Sequence, residues 1–256
     1  MNYKLINNIV VFLFFLGVLL VSFNIAFFWL LLGFAAGYLL FLLIVSTNVQ
    51  FNFFVNAFNN NRFIADKKIA ITFDDGPVEN TLKILEVLDK YQVKASFFCI
   101  GKNIEENPDI FKKILEKGHF VGNHTYSHTR KMGFLSSSKI LEEIRRCDEI
   151  AEKTGGVKLR TFRPPFGIIN PKTKRALEIS GHKVIGWNVR SYDAILSSKT
   201  YILKRILKKV RMGDVILLHD NNPASVEILE QLLLFLQDND YSPVRVDDLF
   251  QIDAYY

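Results

Sequence analysis

Four short clusters carry most of the side chains in this chain that could make or break a covalent bond. The first is Thr72-Phe73-Asp74-Asp75-Gly76-Pro77. Adjacent acids directly behind an apolar run are costly unless ionised and partnered, and the Gly-Pro that follows turns the chain and aims the two carboxylates differently. One can then hold a cation while the other stays free as a base; an N-capping turn is the alternative for a bare Asp-Asp-Gly. The second, His124-Thr125-Tyr126-Ser127-His128, sets two of the five histidines four residues apart, on one side of a helical turn and close enough to share a cation. With Asp75 they form a three-ligand set that leaves coordination positions for water and substrate. The third, Arg163-Pro164-Pro165-Phe166-Gly167, is stiffened by two prolines. That suits an Arg that orients a carboxylate and a backbone N–H that points into a site, with a plain strand-to-helix turn as the alternative. The fourth, Leu217-Leu218-His219-Asp220, ends an apolar run in a histidine that either donates a proton or simply caps beside an acid. Asp193, in Trp187-Asn188-Val189-Arg190-Ser191-Tyr192-Asp193, is the candidate to hold His219 in its useful protonation state.

The pattern from residue 66 onward shows what must position these groups. Apolar runs at 68–73, 95–100, 120–122, 161–163, 183–187, 215–218 and 244–246 read as strands. Helical patterns lie between them near 79–91, 103–117, 137–153, 171–180, 199–211 and 224–238. Pro171 after Asn170 marks a helix start, and Gly118 and Gly181 mark helix ends. Such alternation predicts an α/β domain of parallel strands with helical crossovers, as a closed barrel or an open sheet. Every cluster above falls at the C-terminal end of a predicted strand, the edge where sites assemble in both architectures.

The N-terminal part is of another kind. Residues 9–45 contain no charged side chain. The run is too long for a secretory signal, and no A-x-A-like cleavage pattern follows it. It exceeds the roughly 20 residues of one membrane span and falls slightly short of two. Ser22 and Asn24 interrupt it near the middle, so two tightly connected spans are expected, with one long tilted helix as the competitor. The division is thus a tail (1–8), a transmembrane anchor (9–45), a juxtamembrane linker rich in Asn and Phe (46–65), whose aromatics lie either near the lipid interface or against the domain, and a catalytic domain (66–256). Only two of the 32 basic residues, Lys4 and Arg62, and none of the 26 acidic ones precede Asp66, so the remainder carries a net +4. That mild charge, without a dense basic run, argues against nucleic acid as a partner. The two cysteines, Cys99 and Cys147, have no CxxC spacing and point to neither a disulfide framework nor a zinc finger.

In this order the four clusters closely resemble those of the polysaccharide deacetylases, the nodulation-type (NodB) homology domain of carbohydrate esterase family 4, over residues 66–256. The resemblance implies a distorted (β/α)7 barrel. It implies a divalent metal, most often zinc with cobalt or manganese as alternatives, held by Asp75, His124 and His128. Asp74 would be the general base, oriented by Arg163, and the Phe166 N–H would bind the oxyanion. His219, supported by Asp193, would be the general acid, with Leu217, Pro165 and Trp187 against the substrate. A metal-activated water would attack the acetamide carbonyl of an N-acetylated glycan, and Asp74 would take its proton. The glycan expected is peptidoglycan, a chitooligosaccharide or an exopolysaccharide, met outside the cytoplasm by a membrane-anchored domain. Three positions depart from the family pattern: Phe166 stands for a tyrosine, Asn188 for an aspartate and Ala194 for a tryptophan, which thins one wall of the substrate groove. No G-x-S-x-G elbow points to a serine hydrolase, and the adjacent Asp74 and Asp75 are not the separated acids of a glycosidase. An O-acetyl esterase and a catalytically silent glycan-binding module are the remaining alternatives.

Overall fold

The central strand, β2 (Lys68–Asp74), is buried on both faces, as a parallel strand covered on both sides must be. The computed structural model describes residues 3–21 and 26–256; the expected interruption at Ser22 and Asn24 lies outside the described residues. Around β2 run β3 (Ser96–Cys99), β4 (Phe120–Asn123), β5 (Thr161–Phe162), β6 (Lys183–Ile185), β7 (Val189–Arg190), β8 (Val215–His219) and β9 (Ser242–Val244), with β1 (Ala57–Phe58) ahead of them. The path is β1-β6-β5-β4-β3-β2-β8-β7, with β9 beside the start of β2, and all pairings are parallel. From β2 to β6 and from β7 to β9 each crossover is helical: α3 (Glu79–Lys90), α4 (Gly101–Glu106) with α5 (Pro108–Glu116), α6 (Ser137–Gly155), α7 (Pro171–Ser180), α8 (Lys199–Lys209) and α9 (Ala224–Asp238). The sheet curls into a distorted (β/α)7 barrel.

Side-chain alternation along β2 divides the molecule into two cores. Ile69, Ile71 and Phe73 face outward and pack with Ile84, Leu88, Leu229 and Leu232 of α3 and α9. Ala70 faces inward with Phe98, Phe120, Phe162, Trp187 and Leu217, and the same alternation turns Thr72 and Asp74 inward. Register then sets the site: Asp74 pairs with His219, Cys99 with Asn123, and Asn123 with Phe162. Asp75, His124 and Arg163 are each the first residue beyond their strand.

Three expectations change in detail. The 103–117 helix is two, because Pro108 has no N–H to donate and opens α5 behind Asn107. The 244–246 strand lies at Ser242–Val244, since Arg245 is already the N-cap of α10 (Val246–Phe250). Of the two readings of the linker, the segment takes the one in which it packs onto the domain, and it adds a strand there. Ala57 and Phe58 pair with Val184 and Ile185 of β6, and Asn60 bridges Asp214 at the foot of β8. Residues 57–61 thereby span the open side of the barrel. Asn61 N–H donates to the Gly213 carbonyl at 2.7 Å, and a Cβ on Gly213 would lie 1.8 Å from the Asn61 carbonyl oxygen, so only glycine fits.

Ahead of this segment, α1 (Tyr3–Val21) and α2 (Ala26–Ser46) are each long and apolar enough to cross a membrane. They pack on each other, with the Tyr38 hydroxyl donating to Asn7. The Tyr3 ring reaches Phe53 and Phe54, beyond the end of α2, so the pair forms a hairpin. Phe12, Phe15, Trp29, Leu30 and Leu39 stand exposed on it, an apolar surface larger than water-soluble monomers tolerate.

Val49, Phe53, Phe54 and Ala57 are buried against the barrel, and each large apolar side chain so buried stabilises by about 1.5–3 kcal/mol. A soluble form beginning at Asn48 should melt about 5–10 °C above one beginning at Asp66, the shift that a loss of a few kcal/mol produces in a domain of this size. Equal melting temperatures would show that β1 and the aromatic segment merely rest on the barrel.

Candidate active site

The histidine pair is not on a helix. Residues 124–128 form a loop with positive φ at Thr125 and His128, held by side-chain bonds: Thr125 N–H donates to Asn123 Oδ1, and His128 N–H to Thr125 Oγ1. Such local bonds compete with helix formation. The loop still brings both rings to Asp75, His124 Nε2 at 3.6 Å and His128 Nε2 at 3.4 Å from Oδ1. One ligand atom from each of the three lies within 4.8 Å of the others.

These residues fit a cation. Asp75 Oδ1 is buried without a hydrogen-bond partner, while its Oδ2 accepts from Asn221. His124 Nδ1 lies 2.8 Å from the Arg163 carbonyl, which only accepts, so Nδ1 carries the proton and Nε2 presents its lone pair. Burial, followed by the neighbouring His124, lowers His128 to about 4 and keeps it neutral. Burial would raise Asp75, but His124 and His128 outweigh it and hold the carboxyl well below the usual range. The 3.4–3.6 Å separations match the edge of a tetrahedron with bonds of about 2.1 Å.

Asp74 sits on the inner side of this cradle. Its Oδ1 accepts from Arg163 Nη1 at 2.7 Å, and its Oδ2 lies 3.8 Å from His124 Nε2. Arg163 is fully buried and spends its other donors on Thr72 Oγ1 and the Ile185 and Gly186 carbonyls. Its guanidinium lies 3.9 Å from the centre of the Phe98 ring. Across the cavity, His219 Nδ1 meets Asp193 Oδ1 at 2.7 Å. Burial alone would lower His219, but the Asp193 bond and charge, with Asp74 and Asp75, raise it to about 9. The reciprocal effect overcomes burial at Asp193 and lowers its carboxyl.

These groups open on a cavity of about 330 Å³ lined by Asp74, Asp75, His124, His128 and His219, with Phe166, Leu217 and Trp187 as apolar wall and Arg190, Ala194 and Ile195 completing the lining. Phe166 has φ 59° and sets its ring 4.7 Å from His128. Pro165 is buried within the turn and is not part of the lining. Asn188 also stays out of it, bonding Asp214 and the Val215 N–H at the start of β8. Sequence reasoning missed Asn221 on Asp75, and Ser191 and Ser225, whose hydroxyls donate to Asp193. It also missed Asp220, which accepts from Thr81 and packs beneath Gly76, where a Cβ would lie 1.9 Å from Asp220 Oδ2. The one signal was proximity: Ser191 and Asp220 lie inside singled-out clusters with no role assigned to them, and Asn221 and Ser225 lie within six residues of one.

A family model described as polysaccharide deacetylase matches residues 64–185. The peptidoglycan-N-acetylglucosamine deacetylase PgdA of Listeria monocytogenes is 31% identical over 72% of this chain, and the match spans 39% of that longer protein. The crystal structure of the Bc1960 peptidoglycan N-acetylglucosamine deacetylase superposes with a TM-score of 0.72 at 32% identity, over 78% of this chain and 94% of that one. A CE4 family pseudoenzyme from Bacillus anthracis, BA3943, superposes with a TM-score of 0.67 at 27% identity, over 72% and 66% of the two chains. The chain belongs to the polysaccharide deacetylase family.

With a folded value of about 9 against an ordinary 6.5, the His219–Asp193 pair stabilises the fold fully below about pH 6.5 and loses that contribution as pH rises through about 9. In metal-free protein, the melting-temperature deficit of Asp193→Asn should be largest near pH 6 and shrink above pH 9, both approximate limits of the same linkage. A deficit independent of pH would show that Asp193 matters for packing rather than for the imidazolium.

Proposed function

We propose that the chain is a membrane-anchored, metal-dependent deacetylase that removes N-acetyl groups from an amino-sugar polymer of the cell envelope, with peptidoglycan as the substrate class named for its relatives. One observation carries this reading: a single cavity faces a three-ligand cation cradle, a carboxylate held by a buried Arg, and a histidine kept protonated by a carboxylate. Asp75, His124 and His128 would hold the cation, and a carboxylate with two imidazoles suits zinc, cobalt or manganese. When bound, it supplies Lewis acidity that polarises the acetamide carbonyl and acidifies water.

The chain's own groups do the rest. Arg163 occupies Asp74 Oδ1 and fixes the carboxylate, leaving Oδ2 on the His124 side to accept a proton from the attacking water. The Phe166 N–H is the donor proposed for the oxygen that gains charge at the carbonyl carbon. Leu217 and Trp187 give the acetyl methyl an apolar wall that excludes water. His219 enters protonated, because Asp193 holds it so, and passes its Nε2 proton to the departing amine as the C–N bond breaks. Acetate and a free amino sugar are the products. The base and the acid need opposite protonation, and they stand in separate surroundings, Asp74 against Arg163 and His219 against Asp193.

His124→Ala should lose both bound metal and activity, whereas Asp74→Asn should keep the metal and slow turnover by about 100-fold or more, the scale of a lost general base. A full metal equivalent in His124→Ala would refute the ligand set, and loss of metal from Asp74→Asn would exchange the two roles.

We further propose that α1 and α2 cross the membrane as a hairpin, placing residue 3 and the catalytic domain on the same, outer side, where envelope glycan lies. Protease added to intact cells (permeabilised first at any outer membrane) should then digest the domain. Complete protection until the cells are lysed would overturn this orientation.

A further inference from the structure

Arg190 is a cation that the deacetylation chemistry leaves unused. It ends β7 and lines the cavity beside Trp187. Its Nε is buried without a hydrogen-bond partner, and no hydrogen bond or ion pair joins its guanidinium to another described residue. What surrounds it is aromatic: the Trp187 ring centre lies 5.9 Å from the guanidinium carbon, and the Tyr192 ring centre 4.8 Å. The nearest charged neighbour on the same ring is a second cation. Arg205 stacks on Tyr192 at 4.3 Å and donates from Nε to the Arg190 carbonyl. The acids of the cavity do not pair with it: Asp74 accepts from Arg163, and Asp75 faces the two histidines and accepts from Asn221.

A buried guanidinium N–H without an acceptor is costly, and Arg163 shows how the same side chain is treated when its role is internal, with every nitrogen bonded. The two rings flank the guanidinium without supplying an acceptor, which leaves its unpartnered N–H groups to an oxyanion, the partner a guanidinium binds most strongly. A neutral sugar hydroxyl would satisfy one N–H and leave the charge uncompensated. Ala194, where the family commonly carries a tryptophan, leaves room along the same lining for a substituent.

Resting on the deacetylase reading of this cavity, we infer that Arg190 is a specificity-determining residue that recognises an anionic substituent, carboxylate or phosphate, on the N-acetylated sugar or its neighbour. The preferred substrate is an acidic glycan rather than a neutral one.

The test compares acetate release by the full-length protein from three oligosaccharides of equal length: a neutral N-acetylglucosamine oligomer, one bearing free muramyl carboxylates, and one phosphorylated on a sugar hydroxyl. The expected kcat/KM on at least one acidic glycan is about tenfold or more above that on the neutral one, the scale of a charge-assisted hydrogen bond. Arg190→Gln should collapse that ratio and Arg190→Lys should retain part of it; the preferred acidic glycan identifies the group. A wild-type ratio near one, or a ratio that survives Arg190→Gln, overturns the proposal. Calorimetric binding of the same three glycans to Asp74→Asn, with and without Arg190→Gln, gives a second ratio that does not need turnover. A protein that releases acetate from none of them yet binds acidic glycan through Arg190 would sink the deacetylase reading and leave this one standing. Release without any acidic preference would do the reverse.

Discussion

The buried Arg163 is the contact on which the rest of the site depends. One side chain reaches Thr72 and Asp74 on β2 and the Ile185 and Gly186 carbonyls at the end of β6. Its own carbonyl accepts the proton that sets the tautomer of His124. Asp74, His124 and the barrel wall are thus indexed to a single guanidinium. Taking such a charge out of water costs several kcal/mol, which only a full set of partners offsets, and removing one partner of a buried pair typically costs about 3–5 kcal/mol. Lysine could not substitute, since its point charge cannot span two strands with separate donors.

The hand-off continues outward through carboxylates. Asp193 fills its remaining lone pairs with Ser191, Ser225 and the His219 backbone N–H, so its orientation toward His219 is over-determined. Asp220, lifted to about 7 by burial, with Asp75 and Asp74 adding to the effect against the Thr81 bond, clasps the Asp74 carbonyl through its N–H. The fold alone does not guarantee this arrangement. A pseudoenzyme shares the barrel, so the chemical reading rests on side-chain placement and not on topology.

The strands that were legible in the sequence are runs long enough to leave a pattern, such as 68–73 and 215–218. β1 and β7, with two residues each, were not read as strands, although the equally short β5 was. β1 was hidden further because its neighbours are Asn and Phe, which read as an interfacial linker rather than as barrel. The His124–His128 spacing pointed to a shared ligand set for a reason that differs from the one observed: a loop with two positive-φ residues, not a helical turn, converges the rings. Asp193 could be proposed as the partner of His219 from the residues themselves, but Asn221, Ser191 and Ser225 could not be found, because single hydroxyls and amides in loops carry no periodicity.

The join between hairpin and barrel has a mechanical consequence. α2 ends at Ser46, and the Ser46 carbonyl already accepts the Ile169 N–H, three residues past Phe166. Val49 follows immediately and packs within 3.2 Å of where a Gly186 Cβ would stand. The tether therefore has no slack. With α1 and α2 in a bilayer, the catalyst cannot swing outward on a flexible leash, and its working radius is set by the width of the barrel itself, about 40 Å for a domain of this length. Under the proposed function, polymer beyond that layer would be out of reach however abundant it is, and glycan would have to come to the membrane surface.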